Sequence, residues 1–281
     1  MIVDSELKSA TDYSKGMIDA AYSVLGEIVN ILDGFADNMR IIGGWVPYLL
    51  FQGEDHIGSI DVDVLMNQEN VGESAHYNNI KRILTRNGYR KHPEHFFSFV
   101  KTVKIDGISY DVDVDFLSGK YGGNSGKVSK HVDGIKALPA SGGNFAFDFP
   151  PEEVAIEFNR PDGAKDVGYV KVIAIIPYIV MKVDALGRGK AKDAYDIYYC
   201  TKHYEGGVRK LLEEMLPYKE KDLIQKTCRK LSEKFASPDH AGPVDIVNFL
   251  EISDVEEAMQ IKQDAYQIIK YLVDGLKVSP Q

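Results

Sequence analysis

The chain has 281 residues, of which 44% are hydrophobic and 27% charged, with a formal net charge of −9. That apolar share supports a buried core and excludes large-scale disorder. The acidic balance argues against a protein that coats nucleic acid, although it leaves room for a local basic groove. Cys200 and Cys228 make neither a disulfide framework nor a zinc cluster and fit a reducing compartment. The N-terminus is polar with early acids, so no signal peptide is expected. The most apolar run, Val172 to Met181, is broken by Pro177 and falls far short of the roughly 20 residues a spanning helix needs. A cytoplasmic protein with no membrane partner is expected.

In chain order, Met17 to Phe35 reads as an amphipathic helix, with Ile18, Ala21, Val24, Ile28 and Ile31 at helical spacing. Arg40 to Ile42 reads as a strand. Gly43-Gly44 ends it, and Trp45 to Phe51 reads as a helix that tolerates Pro47 in its first turn. Ile60 to Leu65 is a strand and Glu73 to Arg86 a helix stopped near Gly88. Phe96 to Val103 and Ser109 to Leu117 form a hairpin around Asp106-Gly107. Ser118 to Pro151, rich in Gly, Ser and Lys, reads as a long loop. Glu153 to Phe158 and Tyr169 to Ala174 are two further strands. The rest reads as helices: Pro177 to Leu186, Ala191 to His203, Val208 to Leu216, Lys219 to Phe235 and Ile252 to Leu276. The fold class expected is α/β (α+β), a mixed-sheet core over 1–170 with an N-terminal helix, then a helical domain over 171–281. The boundary falls within 160–176.

Two stretches carry unusual charge. In "SIDVDVL", Asp61 and Asp63 alternate with Val62 and Val64; in "SYDVDVDFL", Asp111, Asp113 and Asp115 alternate with Val112, Val114 and Phe116. Strand side chains repeat every two residues, so each set shares one face. One polar face in water explains one such strand. Two strands of clustered carboxylates are unfavourable unless a cation compensates. Carboxylates one residue apart, joined by another from a neighbouring strand, suit hard divalent cations such as Mg²⁺, which keep positions open for substrate phosphates. Two such ions can clamp the attacking and leaving oxygens of a phosphoryl displacement. Gly43 and Gly44, between strand and helix, would let the backbone approach a phosphate.

The order strand, Gly-Gly, helix, Asp-x-Asp strand and later Asp resembles the nucleotidyltransferase superfamily related to DNA polymerase beta. The stretch "KVDALGRGKAKDAYDIYYC", Lys182 to Cys200, resembles the AbiEii/AbiGii toxin group that includes MenT-like toxins. The resemblance covers roughly residues 37–203. It implies a nucleotidyltransferase core with the helical domain closing the active-site cleft. It implies that Asp61, Asp63 and Asp115 hold Mg²⁺ (two ions, or Mn²⁺), with Asp113 the runner-up for the third ligand. Gly43, Gly44 and Ser59 would contact the triphosphate. Lys182 would contact phosphate, Asp196 would support the site, and Arg188 and Asp193 would assist. Family members often carry Arg-x-Thr-x-Asp where this chain has His56-Ile57-Gly58-Ser59-Ile60-Asp61; His56 stands in for that Arg or is a surface histidine, and Ser59 is read as an exposed turn residue. Lys182 taken alone reads as a solvated lysine.

His92 and His95, in "KHPEH", lack zinc-site spacing and read as structural or exposed. The stretch Ser118 to His131 is not a P-loop; it reads as a flexible surface loop or as a basic lid. The implied activity is transfer of a nucleoside monophosphate from an NTP to a tRNA 3′ end or a protein, in a toxin paired with an antitoxin. A small-molecule acceptor, as in aminoglycoside nucleotidyltransferases, and an inactive nucleotide-binding module are the alternatives.

Overall fold

The computed structural model describes residues 7–52, 55–67, 80–119, 130–132 and 135–277. The chain groups into two compact units. One is Tyr13–Pro177; the other runs from Tyr178 onward and takes in residues 7–12.

The first unit is a mixed sheet with helices. Helix α1, Lys15–Ile31, is capped by Ser14, whose side chain accepts from the Met17 N–H at 3.3 Å. Its buried stripe of Ala20, Ala21, Val24, Leu25 and Ile28 packs on the sheet, with Val24, Leu25 and Ile28 each contributing about 1.5–3 kcal/mol of burial. Gly26 brings this helix against Phe158, since any Cβ there would enter the ring. The helix stops earlier than Phe35, and a 3-10 turn, Asp33–Asn38, leads into β1, Met39–Ile42. Then follow α2, Trp45–Leu50, and β2, Val62–Met66. Of the helix expected over Glu73 to Arg86, α3 covers Ile80–Arg86; 73–79 lie outside the described residues. Next come β3, Arg90–Lys91, β4, Ser98–Ile105, and β5, Ile108–Gly119. The hairpin turn between β4 and β5 is as the sequence predicts, with Asp106 and Gly107 both at positive φ.

The long loop expected over Ser118 to Pro151 is in part regular. It contains β6, Lys130–Val132, β7, Ile135–Ala140, and a 3-10 turn, Phe145–Asp148. Ile135 and Ala137 alternate into the core, a pattern too short to stand out between glycines and prolines. The basic stretch 120–129 lies outside the described residues. Strands β8, Glu152–Asn159, and β9, Lys165–Val172, close the set. The strand order is β3-β4-β5-β2-β1-β9-β8, with β7 beside the end of β5 and β6 beside β7. β2 runs parallel to β5 and antiparallel to β1, and β1 is parallel to β9.

The second unit is helical. Helix α4, Ile175–Ala185, leads into it, followed by α5, Ala191–Lys202, α6, Gly207–Met215, α7, Asp222–Lys234, α8, Ala241–Leu250, and α9, Val255–Leu276. α8 is not among the helices expected from the sequence. Pro243 sits in the first turn, where its missing N–H has no intrahelical partner to lose. α9 starts at Val255 under an Asp254 cap that accepts from the Glu257 N–H at 2.8 Å. Among the described residues no helix is long and apolar enough to cross a membrane.

Candidate functional site

Register fixes one row of side chains across four strands of the first unit. Ile42 on β1 lies opposite Asp63 on β2; Asp63 lies opposite Asp115 on β5; Asp115 lies opposite Ser98 on β4. Paired residues point to the same side of a sheet, so Asp63 and Asp115 stand side by side on one face. Val62, Val64, Val114 and Phe116 point the other way and are fully buried. That opposite burial holds the aspartate face in register, because a one-residue slip would drive the carboxylates into the core.

Asp113 shares the face one pleat along, opposite Val100. Burial raises its pKa, while the charges of His92 and His95 oppose the shift. Asp111 lies opposite Thr102 and is engaged elsewhere. It accepts from Arg90 at 2.6 Å and from Thr102 Oγ1 at 2.5 Å. Of the three β5 aspartates, Asp115 is therefore the neighbour of Asp63, and Asp111 is an ion-pair partner at the surface.

Asp61 precedes β2. Its carboxylate accepts from Ser59 Oγ at 2.5 Å, and its backbone carbonyl accepts from Trp45 Nε1 at 2.7 Å. Ser59 is buried, not the exposed turn residue expected, because it packs under the approach to β2 and bonds Asp61. His56 is likewise buried rather than a surface histidine; its Nδ1 accepts the Gly58 N–H at 3.0 Å and shapes the loop.

Gly43 has φ +74°, and a Cβ there would overlap the Asp63 carboxylate. Only glycine gives both the left-handed turn and the room for that carboxylate. Gly44 caps α2 with no side chain to offer. α2 has six residues, so its dipole adds little, and the clearest role of the pair is to seat Asp63.

The donor set of the row, carboxylate oxygens on rigid strands, has the chemistry of a hard divalent-cation site. The space left by Gly43 fits a carboxylate that must sit close to the backbone. Among the described residues no three His, Cys, Asp or Glu groups are already gathered as a metal cage. Two polar groups on this face also lack full partnering among the described residues: buried Ser98 Oγ, beside Asp115, and Arg40 Nε. Arg40 otherwise donates to the carbonyls of Asp37 and Met39 and lies over the Phe147 ring.

The remaining predicted residues form a separate cluster wholly within the second unit. Lys182 Nζ on α4 lies 2.8 Å from Asp193 and 2.8 Å from Asp196 on α5. Lys192 pairs with Asp196 at 3.0 Å, Arg188 reaches Asp193 at 3.3 Å, and Tyr178 Oη donates to Asp196 at 3.4 Å. Asp196 is 0% exposed and Asp193 nearly so. Burial pushes the Asp193 carboxyl up, but Lys182 and Arg188 outweigh it and hold the pKa below the usual value. Burial pushes Lys182 down, and the two aspartates more than reverse it. Lys182 is thus a largely covered cation between carboxylates, with its side chain 13% exposed, not a solvated lysine. Arg188 is the outward arm, with its side chain 60% exposed.

No family model matches this sequence, and no curated protein matches it. Among solved structures the chain is similar to the crystal structure of JHP933 from Helicobacter pylori, at 15% identity and a TM-score of 0.43, over 93% of this chain and 94% of that one.

Proposed function

We propose that this protein is a divalent-metal-dependent nucleotidyltransferase that moves a nucleoside monophosphate from an NTP to an acceptor. The observation that carries the reading is the side-by-side placement of Asp63 and Asp115 on parallel strands, with Gly43 making room for the Asp63 carboxylate. Asp61, Asp63 and Asp115 would hold Mg²⁺ or Mn²⁺, with Asp113 in reserve. When bound, the metal neutralises triphosphate charge and activates the reacting oxygens. The chain's own part is to hold Asp63 and Asp115 on paired strands, with Asp61 placed just before β2 by Ser59 and Trp45. An acceptor hydroxyl forms a bond to the α-phosphorus as the bond from that phosphorus to the bridging oxygen breaks. Pyrophosphate leaves, and the hydroxyl proton passes to Asp115 or Asp113.

The sequence resemblance to AbiEii/AbiGii toxins supports a tRNA 3′ end or a protein as acceptor and a cognate antitoxin as partner. By the same resemblance, Gly43, Gly44 and Ser59 serve the triphosphate. Lys182, Asp193, Asp196 and Arg188 are read as supporting residues, with Arg188 the arm open to an anion.

A second reading is a nucleotide-binding module without turnover. One experiment separates the two. The protein and Asp63→Ala are incubated with Mg²⁺, each α-labelled NTP in turn, and total RNA plus protein extract. Label entering an RNA or protein band, and lost with Asp63→Ala, supports transfer and names the acceptor class. NTP binding without label transfer, in this incubation and in a second one supplied with a small-molecule extract, supports the module.

A further inference from the structure

The aspartate face continues past Ser98 into a turn of aromatic rings. The His92 N–H donates to the Ser98 carbonyl at 3.0 Å, which sets His92 opposite Ser98 and on the same face as Asp115. His92 is buried, and its Nδ1 accepts the N–H groups of Glu94 at 3.1 Å and His95 at 3.0 Å. Those two bonds fix the ring and lock the turn. The His95 ring stacks on His92 at 4.4 Å and 21°, and on Phe97 at 5.6 Å and 25°. Phe96 meets Phe97 edge-on at 5.3 Å. His95 is exposed, and Phe96 is 41% exposed.

We infer that this turn, through His95 and Phe96, is a stacking subsite for a nucleobase on the aspartate face; the inference deepens the nucleotidyltransferase reading and rests on it. A turn held by these bonds and ring contacts leaves Phe96 41% exposed beside the edge of the His95 ring, and base stacking on aromatic side chains tolerates any base. The position suits the ligand. From Asp115 to His92 is two strand spacings, about 10 Å, a span that lets phosphates sit at the carboxylates while a base lies over the turn. The remaining β4 neighbours on this face, Ser98 and Val100, are buried and present no ring. Two sources carry this chemistry, the base of the NTP and a base of an RNA acceptor.

The test is calorimetric titration of the full chain in Mg²⁺ with three probes: ATP, ribose 5-triphosphate without a base, and a single-stranded hexaribonucleotide. The variants are the double variant His95→Ala/Phe96→Ala, Phe96→Tyr and Phe96→Leu, each checked for an unchanged melting temperature. The double variant is expected to weaken a base-bearing probe about tenfold while ribose 5-triphosphate binds as before. Phe96→Tyr should keep wild-type affinity and Phe96→Leu should not. Loss confined to ATP assigns the NTP base; loss confined to the hexamer assigns the acceptor. Unchanged affinities, equal loss for ribose 5-triphosphate, or Phe96→Leu behaving as wild type overturns the subsite. ATP binding that needs Asp63 but ignores His95 and Phe96 overturns the subsite and leaves the enzyme reading standing. Failure of every probe to bind overturns both.

Discussion

The Asp63 carboxylate fills the space that a side chain at Gly43 would need. Gly43 follows directly on β1 and Asp63 lies on the adjacent β2, and the backbone of one shapes the position of the charge on the other. A glycine that looks like simple punctuation in the sequence is therefore part of the carboxylate site.

Gly43→Ala should impair the site more than its backbone strain alone predicts. Gly107 provides the comparison: it has φ +84°, but a Cβ there meets nothing within 4 Å. Each substitution should cost about 1–2 kcal/mol for a left-handed alanine, read as a lower melting temperature. Only Gly43→Ala should also abolish label transfer, because only there must Asp63 move. Equal transfer by both variants would refute the relationship.

Lys182→Met should destabilise the second unit by up to about 3–5 kcal/mol, the cost of removing one partner of a buried ion cluster, less what Lys192 on Asp196 and Arg188 on Asp193 retain. Adding Asp196→Asn should recover part of the loss. A small shift in melting temperature for Lys182→Met alone would mean that the ion cluster contributes little to the fold.

The pH dependence of that cluster has two edges. Asp193 has a lowered pKa in the folded chain. Its contribution is present above the unfolded carboxylate value, about 3.9, and is lost as pH falls through the folded value. Lys182 is raised. Its contribution is present below the unfolded lysine value, about 10.4, and is lost as pH rises through the folded value. Tyr198, pushed up to about 12 by burial and by its hydrogen bond to Asp264, adds to the alkaline edge. Melting temperatures from pH 2 to 12 should form a plateau with both edges, and Lys182→Met should flatten them.

Asp111→Asn should leave label transfer intact, whereas Asp115→Asn should remove it. Asp111 is held by Arg90 and Thr102 at the surface, and such a pair is worth about 0.2–1 kcal/mol. Equal loss of transfer in both variants would show that register does not sort the three aspartates.

Much of this molecule was legible in the sequence because its elements are local. Helical spacing marked α1 and most helices of the second unit, and Asp106-Gly107 marked the hairpin. Strict alternation placed Asp61 and Asp63 on one face, and Asp111, Asp113 and Asp115 on another. α8 and β7 were hidden by Pro and Gly, whose breaking effect depends on whether an N–H is needed at that point.

The sequence by itself determined that two carboxylate-bearing strands exist and which side of each carries charge. It could not determine which aspartate meets which, because a period of two makes Asp111, Asp113 and Asp115 equivalent. Only the parallel pairing of β2 with β5 sets Asp115 beside Asp63, and only antiparallel β4 brings Ser98, and with it His92, onto the same face. Likewise, Lys182 is hydrophilic by type, and only the packing of α4 on α5 buries it between Asp193 and Asp196. Register and burial are long-range properties, fixed by the core on the opposite face and not by the residues that carry the charge.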